Sequence, residues 1–439
     1  MKTTFTKITL SLAILGTMLT TQAAWEITST SGSTFEVSDG TWTIKCEKTD
    51  NNGGFRLLSW IAGADAELDL ISLNSDIDTD EIDYSLKGIF KESLRNRSIA
   101  GIKIPKTLTY IDNYAFNSSS GYLSGDVVFE EGSMLTSLGQ QCFQNSKITS
   151  INLDVCKELK TMGTYLFSGC ANLKSIGTGE IPASVTSVGA GLFNGCSVLN
   201  QDIYSAARFD FSGKEMFKQS GVTSVVLTNV YGSVGSYCFY NAKSLKKVVL
   251  NSSITGFSEQ AFSASSIETL EPKKFPKLEF FGSNLFSGSS NLSSPLDFSK
   301  ATFTSIPTHA FATCNSLTEV RFPATVTSVG TYAFKLVKKA DYYFYGNPPS
   351  VTSGSFQAYD GKTRCNFNVF PENVVAWTNN TVANYTFTPL SEVNDSEKTA
   401  EYCYPENSKV LGKIALGTSP VGTHWLSLMP VVGTIILIQ

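Results

Sequence analysis

Leu317 to Phe334 reads LTEVRFPATVTSVGTYAF, and this stretch decides the fold. Leu317, Val320 and Phe322 form one apolar set, Val326 and Val329 lie three apart, Gly330 follows, and Phe334 closes the unit. Ile104 to Ser119 (IPKTLTYIDNYAFNSS) and Ile181 to Cys196 (IPASVTSVGAGLFNGC) repeat the arrangement. Working outward, a phenylalanine in the same local context recurs at 90, 116, 143, 167, 193, 217, 239, 262, 286, 311, 334 and 356, at intervals of 22 to 27 residues. A fixed period of this size marks a stacked-repeat protein. Short apolar stretches bounded by Gly, Pro and Asn predict short strands, with the Phe turned inward by a tight turn or a single helical turn. One coil cannot bury both its faces. Stacked in register about 4.8 Å apart, about a dozen coils bury a continuous ladder of Phe, Val, Ile and Leu and make a rod or shallow arc over about 50 Å long. Amphipathic helices are the competing fold, and heptad-like spacing is never sustained between the Gly and Pro punctuation.

The repeated unit resembles the BspA-like leucine-rich repeats, whose pattern runs approximately LxxIxLPxxLxxIGxxAFxxC. Leu317 to Phe334 and Val185 to Cys196 (VTSVGAGLFNGC) match it nearly position by position, and the likeness extends over about Leu68 to Trp377. YGNPPSVTSGSFQAY followed by VFPENVVAWT looks like the terminal coil of such proteins. Tyr204 to Phe217 is degenerate and Ser120 to Glu131 reads as an irregular insertion. The resemblance implies a β-rich solenoid of an exported or cell-surface protein that binds other proteins or matrix, and it carries no catalytic residue, cofactor or metal.

Composition agrees with a packed, weakly charged chain: 42% hydrophobic and 16% charged residues in 439. The first 24 residues place Lys2 and Lys7 before the apolar run Ile8 to Leu19, followed by small residues, which reads as a cleaved secretory signal peptide cut after Ala23 or Ala24. Without those two lysines, 32 basic residues face 38 acidic ones, a net charge of −6. Nucleic-acid binding needs a concentrated positive surface and is disfavoured. A run of about 12 apolar residues falls short of the ~20 that cross a bilayer, so no transmembrane span is expected in the mature chain. With His309 and His424 the sole histidines, most hydrolytic and metal chemistry loses its usual base and ligand. No G-x-S-x-G, H-E-x-x-H or P-loop is present, so no enzyme is expected.

The nine cysteines are odd in number and spread along the chain. Cys142 and Cys238 precede a Phe directly, whereas Cys170, Cys196 and Cys314 follow one by three residues. They read as small buried core residues, with Cys170 and Cys196 stacked as free thiols. Asp76, Asp78, Asp80, Glu81 and Asp83 have the alternate spacing of a calcium loop, but the sixth position is Glu81 where Gly is needed and the twelfth is Lys87 where Glu is needed. A solvated acidic loop is the better reading.

The chain divides into the signal peptide (1–24), an N-terminal β cap (25–67), the solenoid (68–378), a linker (379–398), and a small C-terminal β module or surface-sorting tail (399–439). The cap is read as a β-hairpin around Asn51, Asn52, Gly53 and Gly54, covering an otherwise exposed solenoid end. Two faces are candidates for binding. On one strand row, Lys103, Asn152, Val226, Val249 and Arg321 point outward and suit a protein partner. On the other, Thr109, Thr136, Thr186, Thr255, Thr304 and Thr327 form a hydroxyl row. That row suits a glycan, although β-branched threonine is also simply at home in strands. The expected function is a secreted or cell-surface, non-enzymatic repeat protein that presents an extended face to a host, neighbouring-cell or matrix protein. A glycan-binding module and a structural spacer without a ligand are the alternatives.

Overall fold

The computed structural model describes residues 23–356 except 50–53, 64, 78–84, 120–121, 339, 348 and 353, and beyond them the backbone of four short strands. The repeat folds as a coil with two strands. In one unit Glu319–Phe322 is the longer strand, a turn at Pro323 leads to the two-residue strand Ser328–Val329, and the Phe334 turn returns the chain to the next long strand, Asp341–Phe344. Each strand pairs in parallel with its counterpart one coil away, as Glu319–Phe322 does with Asp341–Phe344 and Ser305–Ile306 with Ser328–Val329. Two rows of parallel strands therefore run along the solenoid, a long-strand row and a short-strand row. Alternation sets the buried face: Val320 and Phe322 point in, Glu319 and Arg321 out.

Between the rows lies the phenylalanine ladder. From Phe116 to Phe356 each ring meets the next at centroid distances of 5.0 to 5.7 Å, and every pair but Phe193–Phe217 lies within 19° of parallel. Offset stacking adds to burial in such pairs. Of the two local forms compatible with the sequence, the Phe segment adopts tight turns. Around Phe311, the Ala312 and Cys314 amides close turns onto the His309 and Phe311 carbonyls, while the His309, Phe311 and Thr313 amides donate to Thr331, Ala333 and Lys335 of the next coil. This alternation needs left-handed backbone two residues before and two after the Phe. Among the described residues, fifteen of the seventeen non-glycine residues with positive φ occupy those positions, among them His309 (φ 55°), Thr313 (φ 61°), Tyr332 (φ 58°) and Leu336 (φ 61°). Such residues cost about 1–2 kcal/mol each, offset here by hydrogen bonds between coils.

The same geometry corrects the start of the ladder. Glu92 (φ 58°) and Asn96 (φ 56°) straddle Leu94, which is 1% exposed and donates its amide to Ala115 as Phe116 does to Cys142. Leu94 is thus the first rung. Phe90 lies four residues earlier, is 37% exposed, and carries the Arg56 guanidinium 4.8 Å from its ring centre.

The cap is larger than a hairpin. Glu26–Ser31, Thr34–Ser38, Thr43–Lys48 and Phe55–Ala62 form an antiparallel meander, and the last of these pairs in parallel with Leu86–Ile89. Buried Trp42 fixes it to the solenoid by donating its indole N–H to the Glu67 carbonyl at 3.2 Å. A helix, Leu70–Ile77, was not expected from the repeat; its start is marked by Asp69, whose Oδ1 accepts the Ile71 and Ser72 amides at 3.0 Å. The stretch read as an insertion contains the long-row strand Ser124–Phe129, which accommodates its irregularity as a register shift against Lys147–Ile151. At the other end Trp425–Leu428 pairs in parallel with Asn366–Val369, and Lys413–Leu416 and Phe387–Pro389 follow antiparallel, so these strands prolong the long-strand row. Residues 1–22, most of the 379–398 segment and His424 lie outside the described residues, as do Asp78, Asp80, Glu81 and Asp83.

Candidate binding surface

Of the five residues read from sequence as outward-facing, Lys103, Val226, Val249 and Arg321 lie in strands of the long-strand row, whereas Asn152 directly follows one, Lys147–Ile151, and starts a short turn. Lys103 forms ion pairs with Glu67 (2.6 Å) and Asp69 (3.4 Å), and these neighbours hold its ammonium above the ordinary lysine value. Asn152 is committed to the backbone: its Oδ1 accepts the Phe129 amide at 2.7 Å and its Nδ2 donates to the Phe129 carbonyl at 2.8 Å. Arg321 donates to Glu319 (2.6 Å) and Tyr345 (3.3 Å) and lies 4.4 Å above the Tyr343 ring. Burial, followed by the neighbouring carboxylates, pushes the Tyr343 hydroxyl up to about 12. Val226 and Val249 have no polar ties. They are half-buried and stand in one register line, Tyr204, Val226, Val249, Glu271.

Two neighbours in that face escaped the sequence reading. Tyr204 is 40% exposed and Val128 39%. The register pairs Val128 with Lys103 and Tyr204 with Val226. Strict alternation along each strand was the available signal, obscured because both residues lie in stretches where the repeat departs from its pattern. From Lys103 to Arg321 the row spans nine coil steps, about 43 Å at the parallel-strand spacing.

The threonine row is exposed or half-exposed, yet its hydroxyls are largely engaged. Thr109 donates to Lys87, Thr136 to Thr109, Thr186 to Lys160, Thr255 to Gly232 and Thr327 to Thr304, each to a carbonyl of the preceding coil at 2.8 to 3.4 Å. These residues brace the coil stack. The residues one step on, Tyr110, Ser137, Thr161 and Ser187, are paired in register and line a groove of about 460 Å³ with Asp112, Asn113, Gln140 and Thr164.

The thiols, His309 and Asp76 of the described residues are engaged in packing or in contacts within the fold. The seven cysteines of the described residues are free and buried, and desolvation raises their thiols, to about 12 at Cys156 and Cys170. Cys170, Cys196 and Cys314 donate to the Phe143, Phe167 and Phe286 carbonyls of the preceding coil at 3.0 to 3.1 Å. His309 packs against Tyr332 in a turn, ring centres 5.3 Å apart and inclined by 46°. Asp76 accepts the Trp25 amide at 3.0 Å and ends the helix rather than a loop. Among the described residues no group of three or more His, Cys, Asp and Glu could hold a metal ion, and no helix is long and apolar enough to cross a membrane.

The profile of the BspA type leucine rich repeat region, in six copies, matches residues 87–208, 175–293, 210–340 and 279–410, more than half of the chain. The protein belongs to the BspA-type leucine-rich repeat family. Three similar solved structures are a leucine-rich repeat protein from Bacteroides ovatus, a leucine-rich cell surface protein from Faecalibacterium prausnitzii and the pneumococcal vaccine antigen PcpA. Their identities to the chain are 18, 18 and 14%, with TM-scores of 0.29, 0.36 and 0.35. They cover 68, 78 and 77% of this chain and 93, 92 and 94% of their own. At such scores they add no argument; the BspA-type repeat itself places the chain. Among curated proteins none matches.

Proposed function

We propose that this BspA-type repeat protein is exported, is displayed at the cell surface, and uses the long-strand row to bind another protein without catalysis. The observation that carries the reading is the register line Tyr204, Val226, Val249, in which three uncharged side chains stand outward on adjacent strands of one rigid sheet. Aromatic residues are enriched at protein interfaces, where a buried anchor carries much of the affinity. Lys103 and Arg321 sit at distant ends of the row, held by their own carboxylates, and contribute a polar setting rather than free charge. Export is supported by the N-terminal sequence pattern, and a surface location by family membership.

Fractionation of the producing cell locates the mature protein, and cross-linking with surface or matrix extracts captures the partner. Val226→Glu and Val249→Glu place a charge that a partner must desolvate, and are expected to abolish capture. Their stability should move by only about 0.5 kcal/mol, as for most surface substitutions. Arg321→Glu asks whether the row is read through charge, with Thr109→Ala and Thr186→Ala as controls on the other row. Capture at unchanged affinity by all the long-row variants excludes this face, and absence of any saturable partner favours a spacer.

A further inference from the structure

We infer that the groove across the short strands at Tyr110, Ser137, Thr161 and Ser187 is a binding site for a neutral oligosaccharide, a second site separate from the long-strand face. The fold leaves several polar groups of this groove without a partner. The threonine hydroxyls beside the groove are already bonded to the preceding coil, but Ser137, Thr161, Thr164 and Ser187 have no side-chain hydrogen bond. Asp112 uses Oδ1 for the Asn113 amide (2.6 Å), and Asn113 uses Oδ1 for the Gln140 amide (2.6 Å). One carboxylate oxygen and one amide N–H₂ thus stay open to a ligand, fixed by those bonds in the manner of a preorganised site.

The lining selects among ligand classes. Asp112 is its sole charged residue, so an anionic ligand meets no cation. An extended peptide has little to grip: Ile111, Leu138 and Met162 are fully buried, leaving no apolar pocket. The backbone is already bonded from coil to coil, so no strand can be added. What remains is a shallow polar trough with hydroxyls repeating once per coil, about every 4.8 Å. An extended chain of pyranose units presents hydroxyls at a comparable repeat, so successive sugars can meet successive coils. The volume of about 460 Å³ falls within the usual range of ligand sites, about 300–1,000 Å³. Tyr110 closes the end nearest the cap: its ring lies on Gly88, where a Cβ would come within 2.2 Å, and its hydroxyl lies beside the Arg56 guanidinium. Arg56 is itself paired with Glu47 at 2.6 Å, so the wall it supports is electrically neutral.

The test titrates the whole protein with tetrasaccharides of β-1,4-glucose, β-1,3-glucose, β-1,4-xylose and α-1,4-glucose, followed by calorimetry and saturation-transfer NMR. A tetra-uronate and an extended Ser/Thr-rich peptide are run beside them. At least one neutral sugar is expected to bind. Thr161→Tyr, which fills the trough from a half-exposed position, should weaken it at least about tenfold, and Asp112→Asn should do so by about fivefold or more, the loss of one charged hydrogen bond. Because Asn keeps the acceptor for the Asn113 amide, both variants should melt with the parent. No binding by any neutral sugar overturns the inference. So does sugar binding that survives Thr161→Tyr, or a groove that takes only the uronate or the peptide.

Discussion

Phe311 shows what one repeated residue contributes. It is fully buried, stacked at 5.5 Å on Phe286 and 5.1 Å on Phe334, and its amide bonds to the next coil. Phe311→Ala empties that site and should cost about 3–5 kcal/mol, measured by urea denaturation; stability equal to the parent would refute the ladder. Position three after the Phe works differently. Cys170 and Cys196 occupy it as thiols, and Ser146 and Ser289 occupy it as hydroxyls; Ser289 donates to Phe262 just as Cys170 does to Phe143. Cys170→Ser is therefore expected to fold. Cys170 also sets a pH limit. In the unfolded chain a thiol ionises near 9.0, whereas burial keeps the native Cys170 protonated to about 12. Between those values the native state holds a proton that the unfolded state loses, so stability falls as pH rises, by about 1.4 kcal/mol per pH unit for each such thiol. The urea midpoint should be flat near neutrality and drop above about pH 9, less steeply in Cys170→Ser.

A single coil is shaped by how closely its neighbour approaches. At Gly163 an added Cβ would lie 2.4 Å from the Gly139 carbonyl carbon, and at Gly189 2.4 Å from the Thr164 amide nitrogen. Those contacts are backbone and cannot move aside. Gly163→Ala should therefore push two coils apart and cost about 1–3 kcal/mol, the range of other overpacked sites, with hydrogen exchange rising first at the Leu138 to Met162 ladder. Protection there equal to the parent would show that the coils have slack. The glycine after the apolar pair was visible in sequence; its reason was not, because the clash is with residues about 25 positions away. The cap shows the opposite case. Alternation from Thr41 to Cys46 pointed to strands, and the strands are there, but the meander adds two more, Glu26–Ser31 and Thr34–Ser38, joined through short local turns that a single-hairpin reading left out.

The molecule as a whole is a stack in which coils touch mainly their neighbours, so energies should add with distance. Phe143→Ala and Phe311→Ala lie seven coils apart and share no partner. Their effects should sum within about 0.5 kcal/mol, and the double variant should unfold in separable steps as local openings uncouple. A single sharp transition in the double variant would mean that the solenoid transmits strain along its length.

Length, period and the buried side of each strand were readable from the chain because they depend on local spacing, repeated often enough that each unit confirms the others. Leu94 was missed because its turn is marked by backbone φ at Glu92 and Asn96 rather than by an aromatic residue. Surface chemistry was harder still. Lys103, Asn152 and Arg321 look alike in sequence as outward polar residues, but their partners Asp69, Phe129 and Tyr345 stand one coil away. The hydroxyl rows divide the same way: Thr136 bonds the coil before it, while Ser137, its neighbour in sequence, faces the groove with its hydroxyl open. A one-dimensional pattern specifies which side chains leave the core. Which of them have a group left for a partner depends on contacts between coils, and those exist only once the coils are stacked.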